Sequence, residues 1–146
     1  METLHTNKKI ALEIISPERL VLQETVDYVV LPAVLGPCAI LPGHADFLTQ
    51  LSIGEMRVVK DGQAQELALS GGFAQVENGI VKVFAETAEL SKEIDAERAR
   101  LAAQRAKEKL LQKDLKPIDI DVIEAELNRA LLRLRVVGKI RKKIVK

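Results

Sequence analysis

The sequence predicts an α+β chain: an N-terminal β-sandwich of short antiparallel strands over residues 1–88, then a C-terminal antiparallel two-helix hairpin over residues 89–146. Three observations carry this. In the first part, apolar residues alternate in short runs broken by Gly, Pro and Asn, the period of half-buried strands. Two of the breaks are Asp61-Gly62 and Asn78-Gly79, dipeptides that accept positive φ and favour two-residue hairpin turns. Beyond them the apolar spacing changes to alternating threes and fours with alanine dominant, the pattern of a helix seam.

Residues 9–16 alternate at Ile10, Leu12 and Ile14 and stop at Pro17. Residues 19–25 and 26–31 form two further runs rich in branched residues, which suit a pleated surface. Leu41-Pro42-Gly43-His44-Ala45-Asp46-Phe47 reads as a loop, and residues 48–51 resume a strand. Two hairpins follow, 55–60 with 63–69 and 73–77 with 80–85, separated by a tight corner at Ser70-Gly71-Gly72. The first helix starts near Ser91 or Asp95 and ends near Lys113, with its seam on Ala96, Ala99, Ala103, Ala106 and Leu110. Residues 114–121 connect; Pro117 bars helix continuation, and Asp119 or Asp121 is available as an N-cap. The second helix runs to about Lys143 and matches the first with Ile123, Leu127, Ala130, Leu134 and Val137. A short connection between such helices makes them antiparallel.

Composition narrows the function. Apolar residues make up 47% of the chain and aromatics 3%, with no Trp, so the core is built from aliphatic side chains. That argues against aromatic stacking platforms for single-stranded nucleic acid. One cysteine, Cys38, supports neither a disulfide framework nor a zinc site and suits a cytosolic setting. The N-terminus METLHTNKK lacks the apolar core of a signal, and no run is long enough to span a membrane. Charge is asymmetric: residues 1–90 hold 6 basic and 12 acidic side chains, residues 91–146 hold 16 and 9. From Arg129 onward there are eight basic residues and no acidic one, which points to an acidic partner.

Chemistry for catalysis is thin. His44 and Asp46 could act as a base and its orienter, but no nucleophile or second acid accompanies them, and a hydrogen-bonded loop histidine is the favoured reading. Ser70-Gly71-Gly72 lies between strands and is no phosphate loop. Two histidines in the whole chain, His5 and His44, argue against a zinc enzyme. The chain reads as no enzyme. Its basic tail can neutralise phosphates, pair with carboxylates of a protein, or stay solvated. The acidic first half and the lack of a known module weigh against nucleic acid.

Several pieces together resemble the epsilon subunit of the F-type ATP synthase. They are Ile40-Leu41-Pro42-Gly43-His44-Ala45-Asp46, Leu69-Ser70-Gly71-Gly72-Phe73 with Val76-Glu77-Asn78, Phe84-Ala85-Glu86-Thr87-Ala88, and Ile94-Asp95-Ala96-Glu97-Arg98-Ala99. The resemblance runs from about Lys9 to Val137. It implies a non-catalytic rotor subunit of the central stalk, coupling the catalytic head to the membrane ring and inhibiting ATP hydrolysis through its helices. Implied partners are the gamma subunit, the membrane rotor ring and, through the helices, the alpha/beta head. The implied location is the cytoplasmic face of the cell membrane, held peripherally and without a transmembrane segment. An alanine seam buries little area, so at roughly 25 cal/mol per Å² an opened hairpin lies within reach of a few kcal/mol.

Some members of this family bind regulatory ATP on the hairpin; no cofactor is required. The resemblance carries that site over to Glu89, Ile94, Asp95, Arg98, Ala99 and Arg105, with Arg129 and Arg133 on the second helix. Arg98 and Arg105, seven apart, share one helix face, as do Arg129 and Arg133. Four guanidinium groups suit a triphosphate. The sequence departs from the family at Gly36-Pro37-Cys38, where a Glu-containing turn is common near the ring contact, at Asp46-Phe47, where Pro-Leu is common, and in the basic tail beyond Val137. The rival reading is a free-standing nucleotide-sensing or nucleic-acid-binding protein that uses the basic helices.

Overall fold

A computed structural model describes residues 8–145, with side chains described for 8–138. The chain forms two compact units that divide between Glu89 and Leu90.

The first unit is built from β1 (Ile10–Ile15), β2 (Leu20–Val26), β3 (Tyr28–Ala33), β4 (Gly36–Ile40), β5 (Phe47–Lys60), β6 (Gln63–Glu77), β7 (Ile80–Ala85) and β8 (Ala88–Leu90). Strand order is β2-β1-β7-β6-β5-β3-β4, with β8 also on β6. All described pairings along this order are antiparallel except β1 with β7, which is parallel. The long strands β5 and β6 serve two layers. The start of β5 and the end of β6 join β7, β1 and β2, while the end of β5 and the start of β6 join β3 and β4. Ile10, Leu12, Ile14, Val81 and Val83 from one layer and Val29, Leu31, Met56, Val58, Leu67 and Leu69 from the other are buried, forming the sandwich core. Alternation within each strand aims these side chains inward.

Both expected hairpin turns are present: Asp61 and Gly62 have φ of 51° and 79°, Asn78 and Gly79 of 51° and 76°. The expected corner at Ser70-Gly71-Gly72 differs. It does not separate two strands; β6 runs through it, with Gly71 and Gly72 at φ of 96° and 122°. The glycines let one strand bend from layer to layer without ending, because a residue without Cβ tolerates that backbone. Residues 36–40, not expected as a strand, form β4 opposite β3; Pro37 sits there because β4 is an edge, where no partner needs its missing N–H. Cys38 on this strand is half-buried. Pro32 lies inside β3 where the β3–β5 register shifts, and its carbonyl accepts from Ser52 Oγ at 3.1 Å.

One end of the sandwich is tied by charge. Lys9 Nζ bonds Asp27 and lies 3.2 Å from Asp61, and Asp27 accepts from the Gly62 N–H at 3.3 Å. The Lys9 hydrogen bond and the Gly62 N–H hold the Asp27 carboxyl below its ordinary 3.8, and the Asp27 and Asp61 bonds hold Lys9 above its ordinary 10.5. The lowered carboxyl contributes stability above pH 3.8 that is lost as pH falls through its depressed value. The raised amine contributes below pH 10.5 and is lost as pH climbs through its raised value. Urea unfolding of wild type and Asp27→Asn should therefore differ near neutrality and converge toward both extremes of pH; a difference that stays constant down to pH 2 would contradict the clamp.

In the second unit, Ser91–Glu93 forms a short 3-10 turn, α1 spans Ala96–Leu110 and α2 spans Pro117–Val145. Asp95 caps α1, accepting from the Arg98 N–H at 3.1 Å. The first helix ends three residues before Lys113. The second starts earlier than a cap at Asp119 or Asp121 implies: Pro117 is its first residue, and the Lys116 carbonyl accepts from the N–H groups of Asp119 and Ile120. Proline fits there because the first helical N–H has no partner to lose. The Lys109–Glu126 pair, 3.9 Å apart, links the two antiparallel helices. Ala99, Ala103 and Ala106 of the expected seam are buried. On α2 burial is broader than one stripe, taking in Ile123 and Ala130 but also Leu132 and Val136. The basic residues from Lys139 onward lie outside the described side chains.

Candidate functional site

The His44–Asp46 pair is not a catalytic dyad. His44 Nδ1 lies 2.7 Å from the Ala45 carbonyl oxygen and its ring packs against Phe47, with centroids 5.2 Å apart. Asp46 Oδ1 accepts from the Asn78 N–H at 3.1 Å, fastening the loop to the β6–β7 turn. Each thus bonds backbone through one atom, as suits a structural loop. Among the described residues no group of His, Cys, Asp or Glu side chains is placed to hold a metal, and no helix is long and apolar enough to cross a membrane.

The residues of the implied nucleotide site fall as follows. Glu89 is half-buried in β8, in the first unit, and the other seven lie in the second. Ile94 is half-buried and donates its N–H to the Ser91 carbonyl at 3.3 Å. Asp95 is engaged as the α1 cap, and Ala99 is buried in the helix seam. Those two shape the start of α1. Arg98 and Arg105 are exposed, and Arg129 and Arg133 are half-buried.

The arginines divide by partner. Arg100 is committed to Glu97, with Nη2 2.5 Å and Nε 3.1 Å from its carboxylate, which lowers the Glu97 carboxyl and raises the guanidinium. Among the described residues, the Arg98, Arg105 and Arg129 side chains take part in no hydrogen bond or ion pair. Their levels follow from helix geometry. At 1.5 Å per residue outward from the Lys109–Glu126 pair, Arg98, Arg105, Arg129 and Arg133 fall within roughly 12 Å along the hairpin axis. A guanidinium fork offers several donors to an anionic oxygen, so guanidinium groups at this spacing suit an extended polyanion better than a single carboxylate.

A second surface feature escaped the sequence reading. Phe73 and Phe84, two of three phenylalanines in the chain, face outward from the first layer and are 52% and 43% exposed. The available signal was parity: in Ile80–Ala85, Val81, Val83 and Ala85 occupy the inward positions, which forces Phe84 outward.

Comparison with known proteins follows the same division. Residues 9–91 match the family described as ATP synthase, Delta/Epsilon chain, beta-sandwich domain, and residues 92–138 match its long alpha-helix domain. The chain is 48% identical over 134 residues to an ATP synthase epsilon chain of Geotalea daltonii, covering 90% of this chain and 96% of that one. It is 45% identical over 138 residues to an ATP synthase epsilon chain of Geobacter sulfurreducens, covering 93% and 99%. Among solved structures it resembles a chain in the Euglena gracilis mitochondrial ATP synthase, with TM-score 0.69, 24% identity, and coverage of 94% of this chain and 82% of that one. It also resembles a chain in the central stalk and c-ring of the Tetrahymena thermophila enzyme, with TM-score 0.61, 11% identity, and coverage of 90% and 99%. At those identities the two structures speak for the fold alone.

Proposed function

The chain belongs to the family of F-type ATP synthase epsilon subunits, non-catalytic components of the central stalk, and we propose that it couples the catalytic head to the membrane ring and restrains ATP hydrolysis through its two helices. The sandwich is the coupling part, meeting the gamma subunit and the rotor ring at the cytoplasmic face of the membrane. The helices are the restraining part, reaching the alpha/beta head. The observation that supports this division of labour is the hairpin seam. Ala99, Ala103 and Ala106 are buried, but each methyl removes little apolar surface from water, so the closed pair is held weakly for its length.

Hydrolysis by the assembled head, measured with the full chain and with a chain ending at Leu90, tests the proposal. The short chain should assemble and raise the rate several-fold. An unchanged rate with the short chain in place removes the inhibitory arm and leaves the coupling role. Failure of both chains to join the complex removes both.

ATP is the ligand proposed for the hairpin, with the phosphates on Arg98, Arg105, Arg129 and Arg133 and the base end toward Ile94 and Asp95. ATP bound there shifts the arm toward the closed hairpin by its preference for that state. Arg98→Ala and Arg129→Ala should each weaken ATP binding about tenfold or more, the usual effect of losing a charge-assisted bond. Isothermal titration of the full chain reads this directly; unchanged affinity in both variants sinks the assignment.

A further inference from the structure

The β5–β6 and β6–β7 turns are built alike but bonded differently. Asp61-Gly62 has φ of 51° and 79°, Asn78-Gly79 has 51° and 76°, and all four residues are exposed. In the first turn the Gly62 N–H is donated to Asp27 Oδ2 at 3.3 Å, and Asp61 Oδ1 lies 3.2 Å from Lys9 Nζ. In the second, among the described residues, neither the Gly79 N–H nor the Asn78 side chain takes part in a hydrogen bond. A side-chain amide followed by an unbonded nitrogen, on a residue with no Cβ to hinder it, is arranged for attack of backbone on side chain.

We propose that Asn78 is a site of covalent self-modification, where the chain converts to isoaspartate and aspartate. Hydroxide takes the Gly79 amide proton, the Gly79 nitrogen attacks Asn78 Cγ, and the Cγ–Nδ2 bond breaks. The departing nitrogen takes a proton from water and leaves as ammonia. Water then opens the resulting cyclic imide at either carbonyl. Opening at Cγ leaves aspartate. Opening at the backbone carbonyl of residue 78 leaves isoaspartate, with the main chain rerouted through the side chain. Nothing is oxidised or reduced, and water and hydroxide are the co-reactants. Ring closure needs the turn to open briefly, and an exposed hairpin end is where local opening costs least.

Conversion has a structural consequence because this turn is a junction. The Asn78 N–H is donated to Asp46 Oδ1 at 3.1 Å, which fastens residues 41–47. The Gly79 carbonyl accepts from the Ala11 N–H at 3.4 Å, where the parallel β1–β7 pairing begins. Isoaspartate inserts a methylene into the main chain between these two bonds, so they no longer fit together. The new carboxylate also joins those of Glu77 next to it and Asp46 across the junction, and like charges at short range repel. Ageing therefore loosens residues 41–47 from the sandwich. The rate rises with pH, because the attacking nitrogen must first lose its proton.

The test incubates the folded full chain carrying Asp61→Asn at mildly alkaline pH. Peptide mass spectrometry, with fragmentation that separates isoaspartate from aspartate, follows both turns. The substitution makes both turns Asn-Gly and leaves the Gly62 N–H bonded to Asp27. Before attack, that N–H must give up a bond to a carboxylate, so Asn78 should convert about tenfold faster than position 61. Gly79→Ala should slow conversion at Asn78 several-fold without unfolding the chain, since its Cβ would meet nothing within 4 Å. Hydrogen exchange of aged wild type should speed across residues 41–47 and at Ala11. Asn78→Asp, which adds the charge without lengthening the chain, should show less of that change. Equal rates at the two positions overturn the proposal. So does an Asn78 that stays intact while the urea-unfolded chain converts, or a rate independent of pH. Native exchange in the fully converted chain overturns the loosening of residues 41–47.

Discussion

Gly72→Ala should destabilise the chain by at least about 3 kcal/mol, enough to leave a large share unfolded at ambient temperature. Gly72 has φ of 122°, and a Cβ there would lie 2.0 Å from the Phe84 carbonyl oxygen and 2.9 Å from the Ala85 Cα. Both atoms are backbone of the neighbouring strand, so no rotamer change relieves the contact. Relief requires β6 and β7 to part at Gly72–Ala85, where their ladder ends. Strained φ costs roughly 1–3 kcal/mol and overpacking a similar amount. Gly62→Ala is the control: its Cβ would meet nothing within 4 Å, so only the φ of 79° is charged against it, at about 1–2 kcal/mol. Urea unfolding of both variants decides the matter. Equal losses would mean that strain alone, and not the close approach of the strands, makes Gly72 necessary.

Ala106→Glu should open the helix pair. Ala106 is 2% exposed on α1, in the seam with Ala99 and Ala103. A carboxylate at that position either stays buried without a partner or pushes the helices apart. Burying it unpaired costs several kcal/mol, more than an alanine seam can hold. Separation is therefore the expected outcome. Hydrogen exchange should speed across Ala96–Leu110 and the described start of α2, while β1, β6 and β7 keep their protection. Gln104→Glu, on the exposed side of the same helix, should change little. Native exchange rates in Ala106→Glu would show that the hairpin is held by more than its seam, and the weak-arm argument would lose its basis.

The implied nucleotide site was legible in part. Spacing alone put Arg98 with Arg105 and Arg129 with Arg133, because an α-helix repeats its faces every three to four residues. It did not reveal that Asp95 is used as a cap or that Arg100 is tied to Glu97 while the Arg98 and Arg105 side chains have no partner among the described residues. Those distinctions depend on which side chains meet, and two arginines a residue apart look alike in a sequence.

The same boundary runs through the whole molecule. Local chemistry in the sequence determined most of the strand segments, the two hairpin turns, the alanine seam and the order of a β unit before a helical one. Asp-Gly and Asn-Gly turns, alternation and helical spacing each act within a few residues. Only the tertiary structure decided that β6 passes through Ser70-Gly71-Gly72 into a second layer, that β1 lies parallel to β7, and that Leu20, Ile15, Phe84 and Phe73 line up. Alternation says which residues of a strand share a face, but not which strands will be neighbours or at what register. That choice is made by packing between residues far apart in the chain. In this protein it decides which of its apolar side chains form the core and which remain exposed.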